Sequence, residues 1–290
     1  MYSCVREDPR WGRLLWLTDG RTEVAAALDF GIRIVHLACA GMENLFYRQD
    51  ESLRDGLATG AGWRLYGGHR FWLAPESEQS YYPDCAPVRW SALGEGILLL
   101  QEPDPWLGVE KSLELRFDGA GRIRVIHRAR NVSDEAISCG LWAISSMAAG
   151  CRLQVPFVPP PRPALTPTRF LALWDCADLA DRRLEIRADR VCAQQMDMDP
   201  PLKIGLYTRM GEAAVEGRGQ RFVKQFGCAP GRAYPDNNCN FELYLCRHMM
   251  EVESLGPVTV LEPGESADHC ERWHVCPLAG EREKRMEAES

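Results

Sequence analysis

Residues 110–130 read EKSLELRFDGAGRIRVIHRAR. The turn Asp118-Gly119-Ala120-Gly121 divides them, and its glycines supply the positive φ that a hairpin requires. Glu110 to Phe117 and Arg122 to Arg130 are therefore expected to form one antiparallel pair. In the second arm Ile123 and Val125 alternate with arginines at period two, so Arg122, Arg124, Arg128 and Arg130 read as the solvated face of a strand.

The same rhythm extends outward along the chain. Short β-rich runs between turn signals recur at Leu14 to Leu17, Glu23 to Leu28, Ile32 to Ala38 and Ile97 to Glu102. They continue at Ile137 to Met147, Arg169 to Trp174, Lys203 to Tyr207, Arg221 to Phe226, Phe241 to Cys246, Met249 to Ser254 and His269 to Val275. Helical patterns are scarce, which fits an all-β sandwich or barrel and not βαβ units. At 290 residues the chain suits one domain of this kind. The expected domain covers residues 1–278, followed by a charged, flexible tail over 279–290 with no apolar face to bury. Val155 to Pro167 holds six prolines and reads as a rigid extended connection.

Composition removes several classes of function. With 46% hydrophobic and 26% charged residues the chain can bury a sizeable core. A net charge of −7 argues against a nucleic-acid partner, because affinity for a phosphate backbone rests on basic patches. No apolar run approaches the roughly 20 residues of a membrane helix, so no membrane partner is expected. Met1 to Arg10 carries charges and Pro9 with no apolar core behind it, so no secretory signal is expected and a cytoplasmic location with reduced thiols follows. The twelve cysteines contain no CxxC pair and no zinc-ligand spacing, and they are expected mainly as small buried hydrophobes.

Three stretches could carry chemistry. Tyr66 to Glu76 reads YGGHRFWLAPE, where paired glycines precede His69, Arg70 and Trp72, with Glu76 beyond Pro75. These residue types suit a sugar, whose C–H faces lie on an aromatic ring and whose hydroxyls meet Arg, His and carboxylates. They also suit a structural turn with Trp72 in the core and Arg70 paired to Glu76. Met249 to Ser254 is read as a strand, so Glu251 and Glu253 share a face, roughly 6.5 to 7 Å apart along it. Such a pair can raise one carboxyl pKa toward neutrality. Alternatively, one glutamate is a surface residue and the other pairs with Arg247 or Lys224. Pro263 to Trp273 reads as a turn into a last strand that completes a sheet, with His269, Glu271 and Trp273 facing away from Cys270, Arg272 and His274.

Taken in order, YGGHRFWLAPE (66–76), LWAISSMAAG (141–150), KQFGCAPGRAYPDNNCNFELY (224–244) and MMEVESLGPVTVLEPGESADHCERWHV (249–275) resemble a bacterial branch of the galactose mutarotase-like, or aldose 1-epimerase-like, superfamily. The resemblance implies a large antiparallel two-sheet β-supersandwich whose concave face holds a sugar. In mutarotases of this superfamily a histidine acts as acid on the ring oxygen, and a glutamate on a late strand removes the anomeric proton. By position Glu253 matches that glutamate, with Glu251 second. His69 and Arg70 match the part that binds hydroxyls. The central stretch departs from the mutarotases, since Leu141 to Met147 contains no histidine and Trp142 stands in that neighbourhood.

The resulting expectation is a carbohydrate-binding protein, in its enzymatic form a mutarotase or epimerase acting at the anomeric centre. Glu253 is then the base, His69 the acid and Glu251 the second carboxylate. Arg70, Glu76, Lys224, Asp236 and Glu242 are the polar ligands, and Trp72 and Trp142 the aromatic ones. Arg70 suits a phosphate as readily as a hydroxyl. Neither a metal nor an organic cofactor is called for, because two positioned proton-transfer groups suffice. The partner is a small sugar or sugar derivative, and the protein a monomer or homodimer. Two alternatives stand beside this one: a non-catalytic sugar-sensing module, and an accessory polysaccharide-processing protein of the lyase type.

Overall fold

The structure is a computed structural model, and it describes residues 2–49, 62–159 and 165–279. Alternating apolar runs between glycine-rich turns produce twenty-one strands among the described residues. They begin with β1 (Tyr2–Asp8), β2 (Gly12–Thr18), β3 (Thr22–Ala27), β4 (Arg33–Cys39), β5 (Gly68–Ala74), β6 (Arg89–Leu93) and β7 (Gly96–Leu100). The middle of the chain gives β8 (Val109–Gly119), β9 (Arg122–Asn131), β10 (Ile137–Met147), β11 (Arg152–Pro156), β12 (Leu171–Leu173), β13 (Leu184–Ile186) and β14 (Arg190–Gln194). The last third gives β15 (Leu202–Leu206), β16 (Glu212–Gly217), β17 (Gln220–Phe226), β18 (Phe241–Leu245), β19 (Met250–Leu255), β20 (Thr259–Leu261) and β21 (Ser266–Pro277).

All strand pairs are antiparallel, and they build two sheets. The first runs β1-β2-β3-β4-β5-β10-β19-β18-β15-β12, with β20 on β10; the second runs β13-β14-β11-β16-β17-β21-β9-β8-β7-β6. One large apolar cluster lies between them, to which Leu17, Ile34, Leu115, Val125, Phe222 and Trp273 all contribute. Of the sandwich or barrel that the alternation left open, this is the sandwich, the two-sheet arrangement that the resemblance implied. The 110–130 hairpin is β8 and β9, and Gly119, Ala120 and Gly121 all take positive φ in its turn.

Several details differ from the sequence reading. The strand at Ser266–Pro277 does not complete a sheet, because it lies in the middle of the second one between β17 and β9. The expected alternation holds, and the face shared by His269, Glu271 and Trp273 is the buried one. The proline-rich connection starts later than expected, since Val155 and Pro156 end β11, and residues 160–164 lie outside the described residues, as does the tail from 280 onward. Of the twelve free cysteines only Cys39, Cys139, Cys151 and Cys239 are fully buried, while Cys85 and Cys270 are exposed. No helix among the described residues is long and apolar enough to cross a membrane.

Candidate functional site

The YGGHRFWLAPE stretch becomes β5, a central strand between β4 and β10. Gly67 and Gly68 open it at φ +86° and +74°, and a Cβ there would lie 2.3 Å from the Tyr47 carbonyl and 2.5 Å from the Ile34 carbonyl respectively. Only glycine permits this approach, which brings β5 hard against β4. The side chains that follow alternate between two environments.

His69 points inward, between the sheets. Its Nε2 lies 2.7 Å from His127 Nε2, and its Nδ1 lies 2.9 Å from Ser145 Oγ. His127 Nδ1 is 3.0 Å from the His269 carbonyl, which can only accept, so that nitrogen carries the proton. His127 Nε2 then accepts from His69, and His69 Nδ1 accepts from Ser145. Burial holds His69 and His127 below the ordinary imidazole pKa and His269 down to about 3, so the three rings are neutral.

Lys224 is in the same interior layer. Its ammonium donates to the Ala143 and Val252 carbonyls at 2.9 and 3.0 Å and pairs with Glu271 at 2.9 Å, both side chains being fully buried. It therefore ties β17 of one sheet to β10 and β19 of the other. Burial pushes the Glu271 carboxyl up, but the Lys224 ammonium outweighs it and holds the group ionised. His69, His127 and Glu271 place donor atoms within 4.8 Å of one another. They do not fit a metal, because the ring nitrogens are spent on each other and an ammonium already occupies the carboxylate.

The opposite face of the first sheet carries a different set. Arg70, Trp72, Trp142, Glu251, Lys203 and Tyr244 project there from β5, β10, β19, β15 and β18, and they surround a cavity of about 650 Å³. Trp63 and Tyr81 complete its aromatic wall, with Glu76 at the rim. Arg70 stacks on Trp72, with 4.6 Å from Cζ to the ring centroid, and reaches Glu251 at 2.6 and 3.4 Å. Burial pushes Glu251 up, but Arg70, and after it the hydroxyl of Ser146, outweigh this and hold the carboxyl below the usual range. Its Oε1 takes the Arg70 and Ser146 hydrogen bonds at 2.6 and 2.9 Å, and Oε2 has only the 3.4 Å contact to Arg70, so it can still accept from a ligand.

Beside this pair, Lys203 serves several acids at once. Its ammonium is 3.1 Å from Glu242, 3.8 Å from Glu76 and 3.9 Å from Glu253, and it lies over the rings of Trp142 and Trp174 at 4.8 and 4.7 Å. Burial alone would lower its pKa, but Glu253, Glu242 and Glu76 reverse the sign and keep it charged. Glu242 and Glu253 are directly opposed on β18 and β19. Cross-strand neighbours sit about 5 Å apart at Cβ, so two carboxylates there repel. Burial, and then Glu253, push Glu242 up to about 9 despite Lys203. Glu253 is raised for the same first reason, and its Oε2 accepts from the Trp142 indole at 2.8 Å.

Of the residues singled out in the sequence, Arg70, Trp72, Glu76, Trp142 and Glu251 converge on the cavity. Glu253 and Glu242 sit behind it under Trp142 and Lys203. His69 and Lys224 do not reach it, because a strand turns consecutive side chains to opposite faces and Lys224 belongs to the other sheet. Asp236 is not among the lining residues either; it stands in a turn, Pro235–Asn238, whose Asp236, Asn237 and Asn238 are all left-handed. Arg70 pairs with Glu251, and not with Glu76, which accepts a short hydrogen bond from Tyr81. The imidazole that does line the cavity is His248, on the turn before β19, together with Arg247. Sequence reasoning passed over it, although a histidine three residues from Glu251 at a strand's mouth was the available signal.

These two sheets, with an aromatic cavity on the outer face of one, make a large antiparallel β-sandwich. No protein-family model and no curated protein matches the sequence. Among solved structures, a galactose mutarotase-like protein from Lactobacillus casei ATCC 334 superposes with a TM-score of 0.60 at 10% identity, over 91% of this chain and 100% of that one. A galactose mutarotase-like protein from Clostridium acetobutylicum gives 0.56 at 10% identity, over 95% and 99%. A provisionally assigned aldose 1-epimerase from Escherichia coli K12 gives 0.58 at 12% identity, over 91% and 99%. At such identities the likeness establishes the fold.

Proposed function

We propose that the chain binds a sugar or sugar derivative in the tryptophan-lined cavity of the first sheet. The observation that carries this reading is the arrangement around about 650 Å³ of space: aromatic faces from Trp63, Trp72 and Trp142, with the Arg70–Glu251 pair and Lys203 set among them. Ligand sites of this size pair apolar walls with a few fixed polar groups. A pyranose offers the complement, C–H faces for the rings and hydroxyls that donate to Glu251 and accept from Arg70 and Lys203. The mutarotase-like structures that share the fold point to the same ligand class. Calorimetric titration with a panel of aldoses tests it: saturable binding of at least one, weakened in Trp142→Ala, is expected, and a panel without heat rejects the reading.

A second reading, proton transfer at the anomeric centre, is favoured by one observation, the carboxyl pair of Glu242 and Glu253 with its raised pKa values. Recognition without turnover has the stronger case. Glu251 is exposed to the cavity, but Arg70 makes it a weak base; Glu253 is the better base, yet it is only 1% exposed behind the Trp142 indole. If catalysis occurs, exchange NMR of α and β anomers shows it, and Glu253→Gln abolishes the exchange while ligand affinity stays within about tenfold. Exchange that survives in this variant removes Glu253 from the mechanism.

A further inference from the structure

The arginines of β9 are not an ordinary solvated face. Buried Ile123, Val125 and Trp273 fix the inner side of β9 and β21, so Arg122, Arg124, Arg272 and His274 project from the outer side of the second sheet. The register sets arginine against arginine. Arg124 lies directly opposite Arg116 on β8 and directly opposite Arg272 on β21, and the next pair along is Arg122 opposite His274. Like charges in directly opposed positions destabilise a sheet.

Neighbouring arginines show what neutralisation looks like here. Arg128 forms a two-pronged pair with Asp268 at 2.7 Å on both prongs, and Arg116 pairs with Glu114. Among the described residues, Arg122, Arg124 and Arg272 have no ion pair, and Arg124 Nε is shielded from solvent without a hydrogen-bond partner. A groove of about 510 Å³ opens beside them, lined by Arg122, Arg272, His274, Gln225 and Val223, and Arg124 stands next to it in register with Arg272 without lining it. One acid, Asp118, stands at its edge. Gln225 is occupied with Glu212.

We propose that this groove is a second binding site, for a small anion bearing two or more phosphate groups, separate from the aromatic cavity on the other sheet. Guanidinium forks match phosphate oxygens in pairs, and three unpaired forks exceed what one phosphate satisfies. Strands lie roughly 5 Å apart, so Arg122, Arg124 and Arg272 cover a patch only about 5 to 7 Å on a side. That footprint suits an oligophosphate. It is too small for a nucleic-acid backbone, which needs an extended basic stripe, and the chain's net charge of −7 opposes such a partner.

The test is calorimetric titration of the full chain with inorganic tripolyphosphate, with orthophosphate in a parallel arm. One-to-one binding of tripolyphosphate, weaker binding of orthophosphate, and a loss of about tenfold in each of Arg124→Gln and Arg272→Gln are expected. Trp72→Ala, on the other sheet, should bind tripolyphosphate as the native chain does. As an independent readout, Arg124→Gln/Arg272→Gln without any anion should melt at a higher temperature than the native chain at low salt, because the opposed charges are gone. Many-to-one binding, affinity unchanged in the arginine variants, or no binding at all overturns the proposal.

Discussion

Replacing Glu242 with glutamine should make the protein more stable, and increasingly so as the pH rises. Glutamine keeps the shape of a protonated glutamate. The native carboxyl has its pKa raised to about 9 in the fold, from 4.5, by burial and by the facing Glu253. A raised folded pKa means that the stabilising contribution is whole below 4.5 and is lost progressively up to about 9. In the unfolded chain the group is free to ionise above 4.5, and each pH unit crossed is worth about 1.4 kcal/mol. By pH 7 the native protein has therefore given up on the order of 3 kcal/mol that the variant retains, a difference of roughly 6 °C in Tm. Lys203 keeps Glu253 and Glu76 as counter-charges in the variant. Thermal melts of both proteins between pH 5 and pH 9 measure this. A Tm difference that widens steadily toward alkaline pH is expected; a flat difference, or a variant less stable at every pH, shows that Glu242 is ionised in the fold.

Two further predictions concern the partition of the first sheet into two faces. Arg70→Ala leaves the Glu251 carboxylate buried without its counter-ion and should cost about 3 to 5 kcal/mol in urea unfolding, while Arg70→Met with Glu251→Leu recovers most of that loss. His69→Ala should lower stability by about 1 to 3 kcal/mol, because His127 and Ser145 lose a buried partner, yet leave aldose affinity unchanged; a matching drop in affinity would place the imidazole in the binding site after all.

The fold was legible because its signal is local. Alternation and glycine turns announced β8, β9, β10, β18 and β19 nearly to the residue, and the shared face of Glu251 and Glu253 followed from period two. The same rule separates His69 from Arg70, but the two were read together as one motif because they adjoin in sequence. What stayed hidden depends on register between distant strands. Nothing in YGGHRFWLAPE says that Arg70 will meet Glu251 across β10, or that Glu242 will face Glu253 and share Lys203. The position of β21 in the middle of a sheet is likewise set by β17 and β9, not by its own residues. The opposed arginines of β9 and β21 become visible only once that pairing is known.

Saturation-transfer difference NMR on the native chain with an aldose that binds addresses the tryptophan-lined cavity most directly. Irradiating the protein should transfer signal to the C–H protons of one pyranose face, and Trp72→Ala should reduce that transfer while Arg124→Gln leaves it intact. Transfer that is undiminished in Trp72→Ala and Trp142→Ala alike would contradict a sugar site on this face of the first sheet.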